Sequence, residues 1–274
     1  MEDSFSILGI ERDACEEAIN EGKEQEIKHF VFEDLLDTHE KLICYRLDLN
    51  LFSVYSYILK KEKLSFFSRE EEKELGCYLG YRGGTLYTFE DFNFKINSLD
   101  DFTLLTEAVE ITSGVSFYFE LCNLCQLPEE LRGELEVILT LYSQDVRKLP
   151  PLTRFDQIAD ENREILKLAV KGNERAIEKL EREVGEEETK RLLSELKRHP
   201  EELFDTCVFP SGNSYFIVGI VTTVKKVEFN ERELTSVDIF AEELEFTVLT
   251  SRAVDVSEGE RLAVNGKMFG VAVV

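Results

Sequence analysis

Along residues 214–274 the apolar positions follow strand periods and not a helical one. Residues 215–224 are β-branched or aromatic almost throughout, the pattern of a strand packed on both faces. Gly219 inside that run marks a bulge or a sharp bend, which a short sheet needs in order to curl. Residues 228–232 predict a hairpin tip and residues 236–241 the next strand. Glu242-Glu243 then connects to residues 244–250, which alternate apolar and polar. Residues 258–274 divide into a strand, a tight Asn265-Gly266 turn and a closing strand. Five strands in this order predict a small OB-like β-barrel over residues 207–274.

Upstream the pattern is mixed. Residues 13–32 place Ala14, Ala18, Ile19 and Ile27 at helical spacing among Glu and Lys, with Asp13 and Glu16 set as a capping box. Residues 42–59 are dense in aromatic and aliphatic side chains and predict a buried segment, strand in its first half. Residues 70–74, acidic apart from Lys73, predict a solvated helical face or connection. Residues 77–89 predict two strands joined in a hairpin at Gly83-Gly84. A phosphate loop would need a helix directly after those glycines, whereas Thr85-Leu86-Tyr87-Thr88 has a strand pattern. Residues 98–108 predict a helix capped by Ser98 or Asp100. Residues 114–123 predict an aromatic-rich strand, and residues 134–142 another able to pair with it across a connection carrying Pro128 and Gly133.

Pro150-Pro151 is the clearest boundary, because two prolines hold the backbone extended and cannot continue a strand ladder. Residues 155–196 predict helices. Ile158, Ile165, Leu166 and Ala169 form an apolar stripe ended by Gly172, and Asn173 caps a helix over 174–184 that turns Ala176, Ile177 and Leu180 inward. Gly185 ends that helix, and a third over 186–198 stops ahead of Pro200. The expected fold class is therefore α+β: a mixed α/β portion at 1–150, a central helical segment at 151–206 and the barrel at 207–274.

Composition narrows the function. The chain has 274 residues, 43% of them hydrophobic, and a net charge of −24. That charge repels nucleic acid and anionic membranes at long range and attracts basic proteins and cations. The start of the chain has no basic leader, and the longest apolar run, residues 215–224, is half of what a membrane helix needs. Six scattered cysteines, Cys15, Cys44, Cys77, Cys122, Cys125 and Cys207, lack the density of a secreted scaffold. They predict thiols in a reducing cytoplasm.

Few residues form a chemical constellation. Cys122 and Cys125 make a C-x-x-C, which suits a metal knuckle or a redox pair. On one strand, side chains three apart point to opposite faces, so a shared ion requires the strand to end near Asn123. Buried structural thiols are the expectation. His29, His39 and His199 lack metal-ligand spacing and read as surface residues. Residues 210–214, Pro-Ser-Gly-Asn-Ser, form a turn and not a nucleophile elbow. In the predicted barrel Tyr215, Phe216, Phe229, Phe240 and Phe246 could stack on bases. Only Lys225 and Lys226 are basic there, amid many glutamates, so nucleic-acid binding is disfavoured.

Gly114, Val115, Ser116 and Asn123, with Phe119 and Leu121 in step, are similar to a strand of one known family. So are Glu161, Asn162, Arg163, Ala169, Gly172 and Ala176 in the helical segment, and Asp205, Thr206, Pro210 and Gly212 after it. Gly259, Arg261 and Gly270 match the closing hairpin. On these residues the second half of the chain resembles domain-of-unknown-function family three-eight-eight-one, intracellular proteins of anaerobic Gram-positive bacteria. The family's usual tryptophan in that hairpin has no counterpart here. The resemblance implies co-linear architecture and lends no catalytic residue.

No catalytic, cofactor-binding or metal-binding residue and no cofactor is assigned. The expected function is a cytoplasmic, non-catalytic protein-binding or assembly module whose partner is another protein, with no membrane involved and nucleic acid disfavoured. The alternative is a small-ligand binder or enzyme using the cleft between the N-terminal portion and the barrel.

Overall fold

Four antiparallel strands, β1 (Lys23–Glu26), β2 (Glu40–Leu49), β3 (Phe52–Lys61) and β4 (Glu71–Tyr81), form the first sheet in that order. They belong to a computed structural model that describes residues 3–28, 32, 35–61, 71–96, 99, 102–129, 133–151 and 160–274. Two helices precede or flank this sheet: α1 (Ser4–Leu8), capped by Asp3, and α2 (Asp13–Glu21). The helix expected to reach residue 32 stops at Gly22, where the chain turns into β1. Residues 71–74, expected as a helical face, are strand instead. Their charges are placed by cross-strand pairing, with Lys60 opposite Glu72 and an ion pair of 3.3 Å between them.

Among the described residues the second sheet has nine strands: β5 (Thr85–Lys95), β6 (Leu105–Glu110), β7 (Ser116–Leu121), β8 (Leu135–Leu149), β9 (Cys207–Ser211), β10 (Ser214–Phe229), β11 (Arg232–Ala241), β12 (Leu244–Thr250) and β13 (Arg261–Ala272). Its centre is the antiparallel ladder of β8 with β13, which runs from Val137–Ala272 to Leu149–Arg261. The outer edge of β8 is shared, pairing first with β5 at residues 135–139 and then, in parallel, with β12 at Leu141 and Tyr142. The outer edge of β13 is shared in the same manner, by β10 at residues 261–267 and in parallel by β7 at Phe269 and Gly270. Each three-strand meander, β5-β6-β7 and β10-β11-β12, thus starts on one long strand and ends on the other. The sheet folds on itself into two closed rings with β8 and β13 as the common wall.

This corrects the expected α+β arrangement with a separate C-terminal OB-like barrel. Among the described residues the protein is mostly β, 51% strand and 22% helix. The strands after residue 207 do not close among themselves, because Asn265-Gly266 is not a turn. β13 passes straight through it with a register shift between Asn265 and Lys267. A Cβ on Gly266 would collide with the Tyr142 carbonyl, so glycine here lets two backbones approach at a bulge. Gly83-Gly84 is likewise no hairpin, since β4 belongs to the first sheet and β5 to the second. A Cβ on Gly84 would meet the side chain of Thr140 and the carbonyl of Leu139, and the chain crosses between sheets through that gap. Residues 105–108, expected in a helix, are strand β6, with alternating burial between β5 and β7. Ser98 and Asp100 lie outside the described residues. β7 and β8 are not neighbours, because β7 pairs with β6 and β13. The bulge in β10 falls between Val221 and Thr223 and not at Gly219.

Among the described residues three α-helices, α3 (Asp160–Val170), α4 (Glu174–Val184) and α5 (Glu186–Arg198), lie between β8 and β9 in the chain. Asn173 caps α4 as its sequence predicts, its side chain accepting from the Ala176 N–H at 3.2 Å. The helices are not a central body. Leu166, Ala169, Leu180, Leu193 and Leu196 form a satellite core against Cys207, Val218 and Ala263 on the second sheet. Ile158 lies outside the described residues.

The main core lies between the two sheets and under α1 and α2. The outer edge of β4 is closed by hydroxyls: Ser4 accepts from the Leu79 N–H at 2.8 Å, and Tyr142 donates to the Leu79 carbonyl at 2.7 Å. Among the described residues no helix is long and apolar enough to cross a membrane.

Candidate functional site

The bulge at Gly266 opens one side of the central ladder. A cleft of about 320 Å³ lies there, lined by Ser6 and Ile7 of α1, residues 142–145 of β8, Ser214 of β10 and residues 265–267 of β13. It joins side chains from both ends of the chain, held by hydrogen bonds that replace the interrupted ladder. Ser143 Oγ donates to the Asn265 carbonyl at 2.6 Å and accepts from the Asp145 N–H at 3.0 Å. Gln144 Nε2 donates to the Ser6 carbonyl at 3.1 Å, which fixes α1 over the opening. Asp145 and Asn265, opposite each other in the ladder, are exposed at its mouth.

A buried acid lies beside the cleft. Glu120, near the end of β7, is 5% exposed and accepts from Asn213 Nδ2 at 2.7 Å. Burial pushes its carboxyl above the ordinary value. Lys267 and the Asn213 amide pull it back, and Asp3 adds to the rise. A raised acid next to a cleft with a lysine is the kind of group that functional sites collect. Sequence reasoning did not find Glu120, because among 56 carboxylates only the parallel register of β7 with β13 distinguishes it.

The residues singled out from the sequence are dispersed. Cys15 and Cys77 form a disulfide that ties α2 to β4, which corrects the expectation of thiols throughout. Cys44, Cys122, Cys125 and Cys207 are free and buried. The strand ends at Leu121, so Cys122 and Cys125 lie on a short 3-10 turn, Leu124–Gln126, and its approach. Burial pushes the Cys122 thiol well up. Among the described residues no group of three or more His, Cys, Asp or Glu side chains converges as a metal site. His39 and His199 are exposed, and His29 lies outside the described residues. Residues 211–214 are the β9–β10 hairpin, with Gly212 at φ 59°. Of the aromatics considered for base stacking, Tyr215, Phe229 and Phe246 are core, Phe216 is partly buried and Phe240 is exposed. Lys225 and Lys226 pair with Asp238 at 3.3 Å and Glu233 at 2.8 Å.

Comparison with family models, with curated proteins and with solved structures gives no match for this chain.

Proposed function

We propose that the protein binds a small polar molecule in the cleft at the β8–β13 bulge. The observation that carries this reading is the convergence there of Ser214, Asn265, Lys267, Gln144 and Asp145 around a backbone gap of about 320 Å³. A few fixed polar groups in a concavity of that size suit a small, hydrogen-bonding ligand. The test is ligand-observed NMR with the full chain against mixtures of amino acids, sugars and small carboxylic acids. Binding that disappears in Asn265→Phe, with the unfolding midpoint unchanged, supports the reading. Absence of binding from all three classes, or equal binding by the variant, refutes it.

The net charge of −24 favours a second reading, a protein-binding module with a basic partner. Retention of a stoichiometric protein on the tagged chain, released as salt rises, is its signature. A cytoplasmic setting belongs to this second reading. The four free thiols support it, and the Cys15–Cys77 bridge weighs against it. Kinship with the domain-of-unknown-function family is a further proposal, resting on the residues quoted above.

A further inference from the structure

The register of the first sheet brings two thiols together that are distant in sequence. Cys44 on β2 lies opposite Gln25 on β1 and opposite Tyr57 on β3. In-register neighbours in a sheet project to the same face. Both neighbours of Cys44 reach the same turn of the second sheet. Gln25 Nε2 donates to the Cys125 carbonyl at 2.5 Å, and Tyr57 OH donates to the Cys122 carbonyl at 2.8 Å. Cys44, between them and on the same face, therefore projects at the turn that carries Cys125. Cys122, the other half of the C-x-x-C, points away, its Sγ 3.7 Å from the Leu79 carbonyl.

We propose that Cys44 and Cys125 are an oxidative cross-linking site, which ties the first sheet to the turn after β7 when the protein meets a low-molecular-weight disulfide. Cys125, 3% exposed against 0% for Cys44, is the thiol that reacts first. Its thiolate attacks one sulfur of the small disulfide, forming a mixed disulfide and expelling one small thiolate. The Cys44 thiolate then attacks the Cys125 sulfur, and the second small thiolate leaves. The two protein thiols lose two protons and two electrons, and the small disulfide is reduced to two thiols. Burial pushes the Cys44 thiol up and the adjoining Cys125 thiol pushes it further. Exchange therefore proceeds through local opening of the turn and is slow compared with an exposed thiol.

The experiment incubates the full native chain with oxidised glutathione, quenches with acid, alkylates under denaturing conditions and maps peptides by mass spectrometry. The expected result is loss of two alkylatable thiols, with a Cys44–Cys125 cross-linked peptide beside the Cys15–Cys77 one. In Cys44→Ala the expected product is a glutathione adduct on Cys125 with no cross-link, while Cys122→Ala still forms the bridge. A Cys122–Cys125 cross-link, a glutathione adduct on wild-type Cys125 that does not resolve, or retention of all four thiols overturns the proposal. The wild-type map decides the matter even if a variant fails to fold.

Discussion

The side chain of Asn123 pairs with the backbone of Ala272 as a strand would. Its Nδ2 donates to the Ala272 carbonyl at 2.8 Å, and its Oδ1 accepts the Ala272 N–H at 2.7 Å. Asn123 is fully buried and follows β7, so one amide continues the parallel β7–β13 pairing beyond the point where the backbone turns off.

Asn123→Ala removes both bonds and leaves a donor and an acceptor buried without partners. We expect a loss of about 2–3 kcal/mol in urea denaturation. Asn123→Asp keeps the acceptor but faces the Ala272 carbonyl with an oxygen, so it is expected to lose at least as much at neutral pH. An amide-exchange map should show the Ala272 N–H losing protection first.

Arg261 is 9% exposed and donates to four backbone carbonyls: Phe204 at 2.7 Å, Glu201 and Pro150 each at 2.9 Å, and Asp205 at 3.4 Å. It holds the end of β13 to the segment that follows the helices. Arg261→Met fills similar space but leaves those acceptors unpaired, an expected cost of about 3 kcal/mol. Faster exchange in α3–α5 than in β2–β4 would show that the satellite core loosens first.

Two buried acids should give opposite pH behaviour. The folded pKa of Glu120 lies above its ordinary value of 4.5, so below that value its burial costs nothing. As pH rises through the unfolded and then the folded pKa, the unfolded state ionises first and stability falls. Glu120→Gln, which still accepts from Asn213, is expected to gain on wild type across that window and to hold the gain above it. For Glu110 burial pushes upward, but the Ser113 hydroxyl and the Ser113 and Thr112 N–H groups outweigh it and hold the carboxyl below its ordinary value. Its contribution is present above 4.5 and is lost as pH falls through the lowered pKa. Glu110→Gln is therefore expected to be less stable than wild type at neutral pH, and the difference to vanish in acid. Urea midpoints at several pH values test both.

Reduction of Cys15–Cys77 reopens a loop spanning 62 positions. Loop-closure entropy puts the loss at about 4 kcal/mol. Comparing urea midpoints with and without reductant, and with Cys15→Ser, measures it.

Several elements were legible because local chemistry decides them. Asn230-Glu231 and Glu242-Glu243 are the turns read from sequence, each residue at positive φ, and Asn173 and Gly185 bound α4. The misreadings share one cause. Asn265-Gly266 carries the strongest two-residue turn signal in the chain, yet β8 already occupies its side of β13, and pairing along the whole strand outweighs local turn preference. Residues 98–108 show a cap signal, but β5 and β7 supply ladder partners on both sides of β6. The expectation placed a cleft between the N-terminal portion and the barrel and named no residue lining it. Gly266, which opens the observed cleft, and Glu120 and Asn213 beside it become neighbours only through the β7–β13 and β8–β13 registers, and no spacing in the sequence encodes those.

The shared wall of β8 and β13 also decides when the sheet can close during biosynthesis. While β13 is still inside the ribosome, β8 has emerged with one edge bare along the ladder it will form, and β7 has no partner for its closing step. Bare sheet edges are templates for pairing with other chains. Contacts as distant in sequence as Val137 with Ala272 also form slowly. The nascent chain therefore carries its greatest aggregation hazard just before β13 is released, and chaperone dependence should be concentrated in that interval.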